Sequence, residues 1–449
     1  MGDESHSSAS ETPTPTRRTV LALVGSAATA GCTSLPIGDQ HDTTEIDGVS
    51  LRKLAARAEA MPPQTLPVAI SPGYLDSAES RARELLDEVP SPLTETEIPN
   101  GVIRERVVDA RENATAALKR ASKAASPYQR LLELEHARGD ARFVAAAWAA
   151  VGDRLTRDDV VAEASGLRQA IDDFRGRWEY VGSDPVRSVV VHETIEDRVR
   201  SATGDVENLR DGRTHQPGDV LDVGELAEEA ERARTNVATA GHVYEQYSDS
   251  LDERRETNSA FSAARETLVA AVRERTRERF GTSGDQPDPT SLVERNVDGT
   301  PAASVLRDLS RDLQFADWED ESAEWVANDV LRAHEQLVRH RALDAVRRRI
   351  EAGEDFTVER VADVERARND ADAAVSAVLS GSDVSVLTRN LVPEIARRAE
   401  FADDRLADLD DTVRAARLDE IVAEYVVVAT MVEATPAVSD RVGDALRSA

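Results

Sequence analysis

Hydrophobic positions along this chain recur at intervals of three and four residues, and that spacing predicts helices almost throughout. Ile103, Val107, Ala110, Ala114, Ala117, Ala121 and Ala124 form one stripe. Val223, Leu226, Ala230, Ala233, Val237, Ala240, Tyr244, Tyr247 and Leu251 form a longer one, and Val361, Val364, Ala367, Ala371, Ala374 and Val378 a third. A stripe of this period is the seam along which near-antiparallel helices pack. Alanine at so many seam positions lets helix axes approach to the short end, ~8 Å, of the usual range. It also buries little apolar area per turn, so stability requires many helices sharing a core. The predicted fold is all-α: a multi-helix antiparallel bundle with coiled-coil-like, Ala-rich seams.

Breakers divide the pattern. Helices are predicted over 72–89, along the first stripe, and over 127–152, 157–180, 184–211 and 224–251. Further helices are expected over 302–315, 319–352, 357–380, 384–411, 415–434 and 436–447. Ser183-Asp184-Pro185 is a good helix start, because proline at the first helical position gives up no needed N–H. Leu66 to Ile70 contains Pro67 and reads as an extended connector. Asp211 to Asp219 reads as a loop. The largest break, Gly281 to Pro301, is expected to be a linker (281–301) between helical subdomains at 48–280 and 302–449. No regular repeat period emerges, which argues against a helical-repeat array.

The first 47 residues follow different rules. Arg17 and Arg18 precede an apolar run, Val20 to Ala30, that leads into Gly31-Cys32. At about 11 residues it is far shorter than the ~20 of a spanning helix. The stretch TRRTVLALVGSAATAGC resembles a twin-arginine signal followed by a lipobox, the arrangement of exported prokaryotic lipoproteins. That resemblance implies that residues 1–31 are a signal peptide and that Cys32 is lipidated and begins the mature chain. The expected partner is then the lipid bilayer, reached from its extracytoplasmic face through the Cys32 anchor, with residues 32–47 as a polar tether. The longest later apolar run, Tyr425 to Val432, falls short of a spanning length.

Composition adds the solvent. With 85 acidic and 55 basic residues the formal charge is −30, which repels nucleic acid and anionic lipid alike. Lys53, Lys119 and Lys123 are the only lysines. Abundant acid, scarce lysine, much alanine and few aromatics resemble proteins of extremely halophilic archaea. In molar salt, repulsion is screened within about 3 Å, so such a surface need not destabilise a fold. Cys32 is the only cysteine, which excludes a disulfide within the chain and any cysteine-rich zinc site.

No catalytic constellation stands out, and no cofactor is expected. His334, Glu335 and His340 lack the four-residue histidine spacing of a zinc-protease helix. Glu133 and His136 form a lone Glu-x-x-His, where a di-iron bundle needs two. His192 and Glu196, and the acids Asp403, Asp404, Asp408, Asp410 and Asp411, read as solvated faces. Trp318, Trp325 and Phe315 read as core aromatics, and Asn113-Ala-Thr115 is a glycosylation sequon set mid-helix. His242 and Glu245, after Gly241, resemble the Gly-x-His-x-x-Glu motif of exported imelysin-like proteins, with the glycine displaced by one position. They are the weak metal candidates. The expectation is a non-enzymatic, membrane-tethered scaffold or accessory protein. Its alternative is a solute-binding or imelysin-like metal-binding lipoprotein.

Overall fold

The computed structural model describes residues 44–57, 62–212, 219–281, 287–314 and 324–449. Arg17, Arg18, Cys32, Phe315 and Trp318 therefore lie outside the described residues. The all-α expectation is met: thirteen α-helices carry the described chain, with two minimal antiparallel strand pairs. They are β1 (Glu45–Asp47), α1 (Gly48–Ala55), α2 (Pro72–Asp87), α3 (Gly101–Ala121), α4 (Pro127–Val151) and α5 (Arg157–Arg177). Then come β2 (Val181–Gly182), α6 (Pro185–Asp211), α7 (Asp219–Asp249), β3 (Arg255–Glu256) and α8 (Asn258–Phe280). The last are α9 (Pro301–Gln314), α10 (Val326–Glu351), α11 (Val361–Leu379), α12 (Val386–Ala407), β4 (Thr412–Arg414) and α13 (Asp419–Arg447).

Helix starts follow the local chemistry. Ser71, Ser126 and Asp184 cap α2, α4 and α6 with side-chain oxygens, each followed by proline in the first turn. Thr156 and Asp159 form a reciprocal capping box on α5. Seam residues are buried as their spacing requires: Val107, Ala110, Ala114 and Ala117 on α3, and Leu226, Ala230, Ala233 and Ala240 on α7.

Two hydrophobic cores share the chain. Helices α2 to α5 and α7, with most of α6, build the first around Leu134, Phe143, Leu226 and Tyr247. Helices α8 to α13 build the second around Phe261, Leu306, Leu337 and Val427. The long helix α6 joins them, giving Val186, Val189 and Val190 to the second core and Val191 to Leu209 to the first.

The division expected at 281–301 falls elsewhere. Helix α8 belongs to the second core, because Phe261, Leu268 and Val272 face α10 and α13. Residues 287–300, ahead of α9, also lie along that core, where Val293 and Val297 are buried. Glycine and proline there break a helix without interrupting the packing. Residues 45–47, expected in the polar tether, and residues 48–55, expected in the first subdomain, both pack with the second core. Ile46, Leu51 and Leu54 are buried in the second core, β1 pairs with β4, and Arg52 donates to the Leu409 carbonyl at 2.5 Å.

The two helices expected at 415–434 and 436–447 are one, α13, which continues through Pro436. Proline in a helix interior forfeits one hydrogen bond and costs about 3 kcal/mol. Val432, Val438, Val442 and Leu446 are buried on either side of it. Burying each such side chain contributes about 1.5–3 kcal/mol, so packing wins. By length and hydropathy α13 would pass for a spanning segment, yet 78% of its apolar window is buried inside the fold.

Candidate functional site

His242 lies on α7 and faces the start of α2. The backbone that begins α2 turns inward there: the Ser71 hydroxyl accepts from the Tyr74 N–H at 3.3 Å, and the Ser71 N–H donates to His242 Nε2 at 3.2 Å. The Tyr74 ring lies flat on the imidazole, with centroids 4.2 Å apart and planes within 3°. Phe174 and Arg177 from the end of α5, with Asp173 and Glu245, complete a cleft of about 480 Å³.

A polar chain runs inward from this cleft. The Tyr74 hydroxyl lies 2.9 Å from Thr239 Oγ1, which donates to Glu135 at 2.8 Å. Glu135 is itself paired with Arg198 at 2.7 Å, and Arg198 donates to Asn236 at 3.0 Å. Four helices are tied by these contacts, and each polar group has a protein partner.

His242 and Glu245 share the cleft wall without converging. Nε2 of His242 is engaged by an N–H, which places the ring proton on Nδ1 and removes the lone pair a metal would take. Burial lowers the imidazole pKa, and Glu245 acts weakly in the opposite direction. Glu245 is largely exposed and pairs loosely with Arg177 at 3.6 Å. These residues do not fit an imelysin-like metal site. Among the described residues no group of three His, Cys, Asp or Glu is placed to hold a metal ion.

The most elaborate polar centre was hidden from the sequence. His192 and Glu196, expected on a solvated face, are 0% and 1% exposed where α6 passes between the cores. The Trp178 indole donates to His192 Nδ1 at 3.1 Å, so Nε2 carries the proton and donates to the Val181 carbonyl at 2.9 Å. Burial pulls the His192 pKa down to about 4. Glu196 accepts from the Tyr180 hydroxyl at 2.7 Å and from the Ala327 and Asn328 N–H groups at 2.9 and 2.6 Å. It thereby caps α10, whose flanking Trp325 offers no side-chain cap. Desolvation outweighs those three donors and raises the Glu196 pKa to about 7.

Other singled-out residues also resolve into structure. Asp403, expected to be solvated, is buried, holding Arg368 at 2.7 and 3.2 Å and accepting from the Tyr425 hydroxyl at 2.6 Å. His334 and His340 are both buried on α10 and turn to different neighbours, Ser439 and Thr276. Glu133 pairs with Arg120 while His136 stays exposed. Trp325 is half-buried beneath the Arg175 guanidinium. Asn113 is exposed in the middle of α3.

Residues 73–253 match the profile of a domain of unknown function, DUF8262, and residues 258–444 that of a second, DUF8264. Their junction falls at β3, between α7 of the first core and α8 of the second. No curated protein and no solved structure matches the chain.

Proposed function

We propose that this protein is a membrane-tethered, extracytoplasmic scaffold or accessory subunit, held by lipid at Cys32 and acting through its helical surface rather than by catalysis. One observation carries this reading: the buried side chains of His192, Glu196, Glu231, Arg368 and Asp403 are spent on ties between elements. Glu196 caps α10, and His192 joins α6 to the β2 segment. Glu231, fully buried on α7, holds Arg138 of α4 at 2.6 Å and Arg234 at 2.8 Å. Arg368, Asp403 and Tyr425 lock α11, α12 and α13 together. Such ties favour one rigid arrangement, as a strut or docking platform requires.

The test is crosslinking in intact cells at growth salt, capture of the tagged protein and mass spectrometry. A transporter or secreted enzyme in the capture identifies an accessory subunit. Recovery of the surface coat or of further copies identifies a spacer. A capture with no crosslinked protein overturns the scaffold reading.

A further inference from the structure

The cleft where α8, α10 and α13 meet gathers four arginines, three of them without a carboxylate partner among the described residues. Arg275 and Arg279, one turn apart on α8, Arg341 on α10 and Arg441 on α13 surround a volume of about 280 Å³. Leu337 and Val438 lie at its base. Only Glu278 and Asp344 among its lining residues are acidic. In a chain carrying 85 acids against 55 bases this is a local reversal of charge.

One of the four guanidiniums is fixed. Arg279 donates through Nη1 to His340 Nδ1 at 3.0 Å and through Nη2 to Asp344 at 2.6 Å. His340 is fully buried, accepts through Nδ1 and donates its single ring proton, on Nε2, to Thr276 at 3.1 Å, so it stays neutral. The only carboxylate facing the cleft from α10 is therefore committed to Arg279. Arg275, half-buried, and Arg341 and Arg441, both exposed, have no hydrogen-bond or ion-pair partner among the described residues. Burial, then the charges of Arg441 and Arg279, weaken the proton affinity of Arg275. Glu278 sits exposed at the rim.

Uncompensated guanidiniums crowded over an apolar base repel one another, and an anion relieves that repulsion. Four guanidiniums against two carboxylates leave an excess matching a doubly charged oxyanion. The planar N–H fork of arginine suits phosphate oxygens in pairs. A volume at the lower end of ligand pockets, which run from ~300 Å³ upward, favours a phosphate group with a small substituent. We propose that this cleft binds phosphate, as a small phosphate ester or as the phosphate of a lipid headgroup. Arg275, Arg341 and Arg441 grip it, and Arg279 is the pre-set member.

The experiment is calorimetric titration of the full chain at constant ionic strength in chloride. The probes are inorganic phosphate, glycerol phosphate, and vesicles of phosphatidylcholine with and without phosphatidic acid. Saturable phosphate binding is expected, weakened at least tenfold by Arg275→Gln and by Arg441→Gln but unchanged by Arg168→Gln on distant α5. Binding to phosphatidic acid vesicles alone assigns the lipid source, and binding to the soluble probes assigns a small ester. Should Arg275→Gln lose helicity by circular dichroism, Arg341→Gln and Arg441→Gln, both at exposed positions, carry the test. The proposal falls if no probe binds, if the variants bind like the parent, or if added chloride displaces phosphate with equal affinity.

Discussion

At the residue scale, burial decides what the charged side chains do. His192, His334 and His340 are held neutral by desolvation, with pKa values near 4, 4 and 3. In the unfolded chain each would titrate near 6.5. The folded state thus binds fewer protons than the unfolded state between those values. Stability is present above pH 6.5 and is lost as pH falls toward the folded values, by up to about 3 kcal/mol for His192 and His334 and about 5 kcal/mol for His340. The imidazole resonances of the folded protein at constant molar salt should show no protonation between pH 6.5 and about pH 5. Titration near pH 6.5 would mean that the rings are solvated. Glu196 works in the opposite sense, favouring the fold at low pH and opposing it as pH rises from 4.5 through about 7. Truncating Asp403 to Ala should destabilise the protein by about 3 kcal/mol, since it leaves Arg368 only its looser contact with Asp372 at 3.5 Å and takes the partner from the buried Tyr425 hydroxyl. Denaturant unfolding measures the loss; a cost below about 1 kcal/mol would return Asp403 to the solvent.

At the element scale, the first folded residues close the last ones. The Gly48 N–H donates to the Asp411 carbonyl at 2.9 Å and extends the pairing of β1 with β4. A Cβ at Gly48 would lie 1.8 Å from the Asp410 carbonyl oxygen, so the backbones would have to part. Gly48→Ala should cost about 2 kcal/mol or more. Hydrogen exchange should show the loss first in α1 and around β4, and uniform protection in the variant would refute the clasp. Strands of two or three residues leave no period to read in the sequence. The tetrapeptide Glu-Arg-Ala-Arg occurs at 231–234 and again at 365–368 and packs differently in the two places: Glu231 and Ala233 are buried in the first, Arg368 in the second.

For the whole molecule, two cores share one long helix, and residues 45–55 return to the second core before the chain builds the first. The address read from Arg17, Arg18 and Cys32 makes separate predictions. Cys32→Ser should move the protein from the membrane fraction into the medium, and fractionation that finds it still on membranes would remove the lipid anchor. Replacing Arg17 and Arg18 with lysine should stop export. Dialysis out of molar salt should erode the helical dichroism, because 85 carboxylates are then no longer screened from one another. A full helical signal in dilute buffer would rule out the halophilic reading of the composition.

Local pattern was enough for most of the helices. Period, caps and breakers act within a few residues, so α2 to α7 and α9 to α12 were legible in outline, as was the burial of Val107, Ala230 and Val364, whereas α8 was not expected. The candidate address was equally local. What only the tertiary structure decided is which helix face meets another. Burial of His192, Glu196 and Asp403, the run of α13 through Pro436, and the gathering of Arg275, Arg341 and Arg441 all depend on elements far apart in the chain. Glu196 meets its donors 131 and 132 residues away. Spacing within one helix does not encode a neighbour at that distance, because the neighbour is chosen by the packing free energy of the whole core.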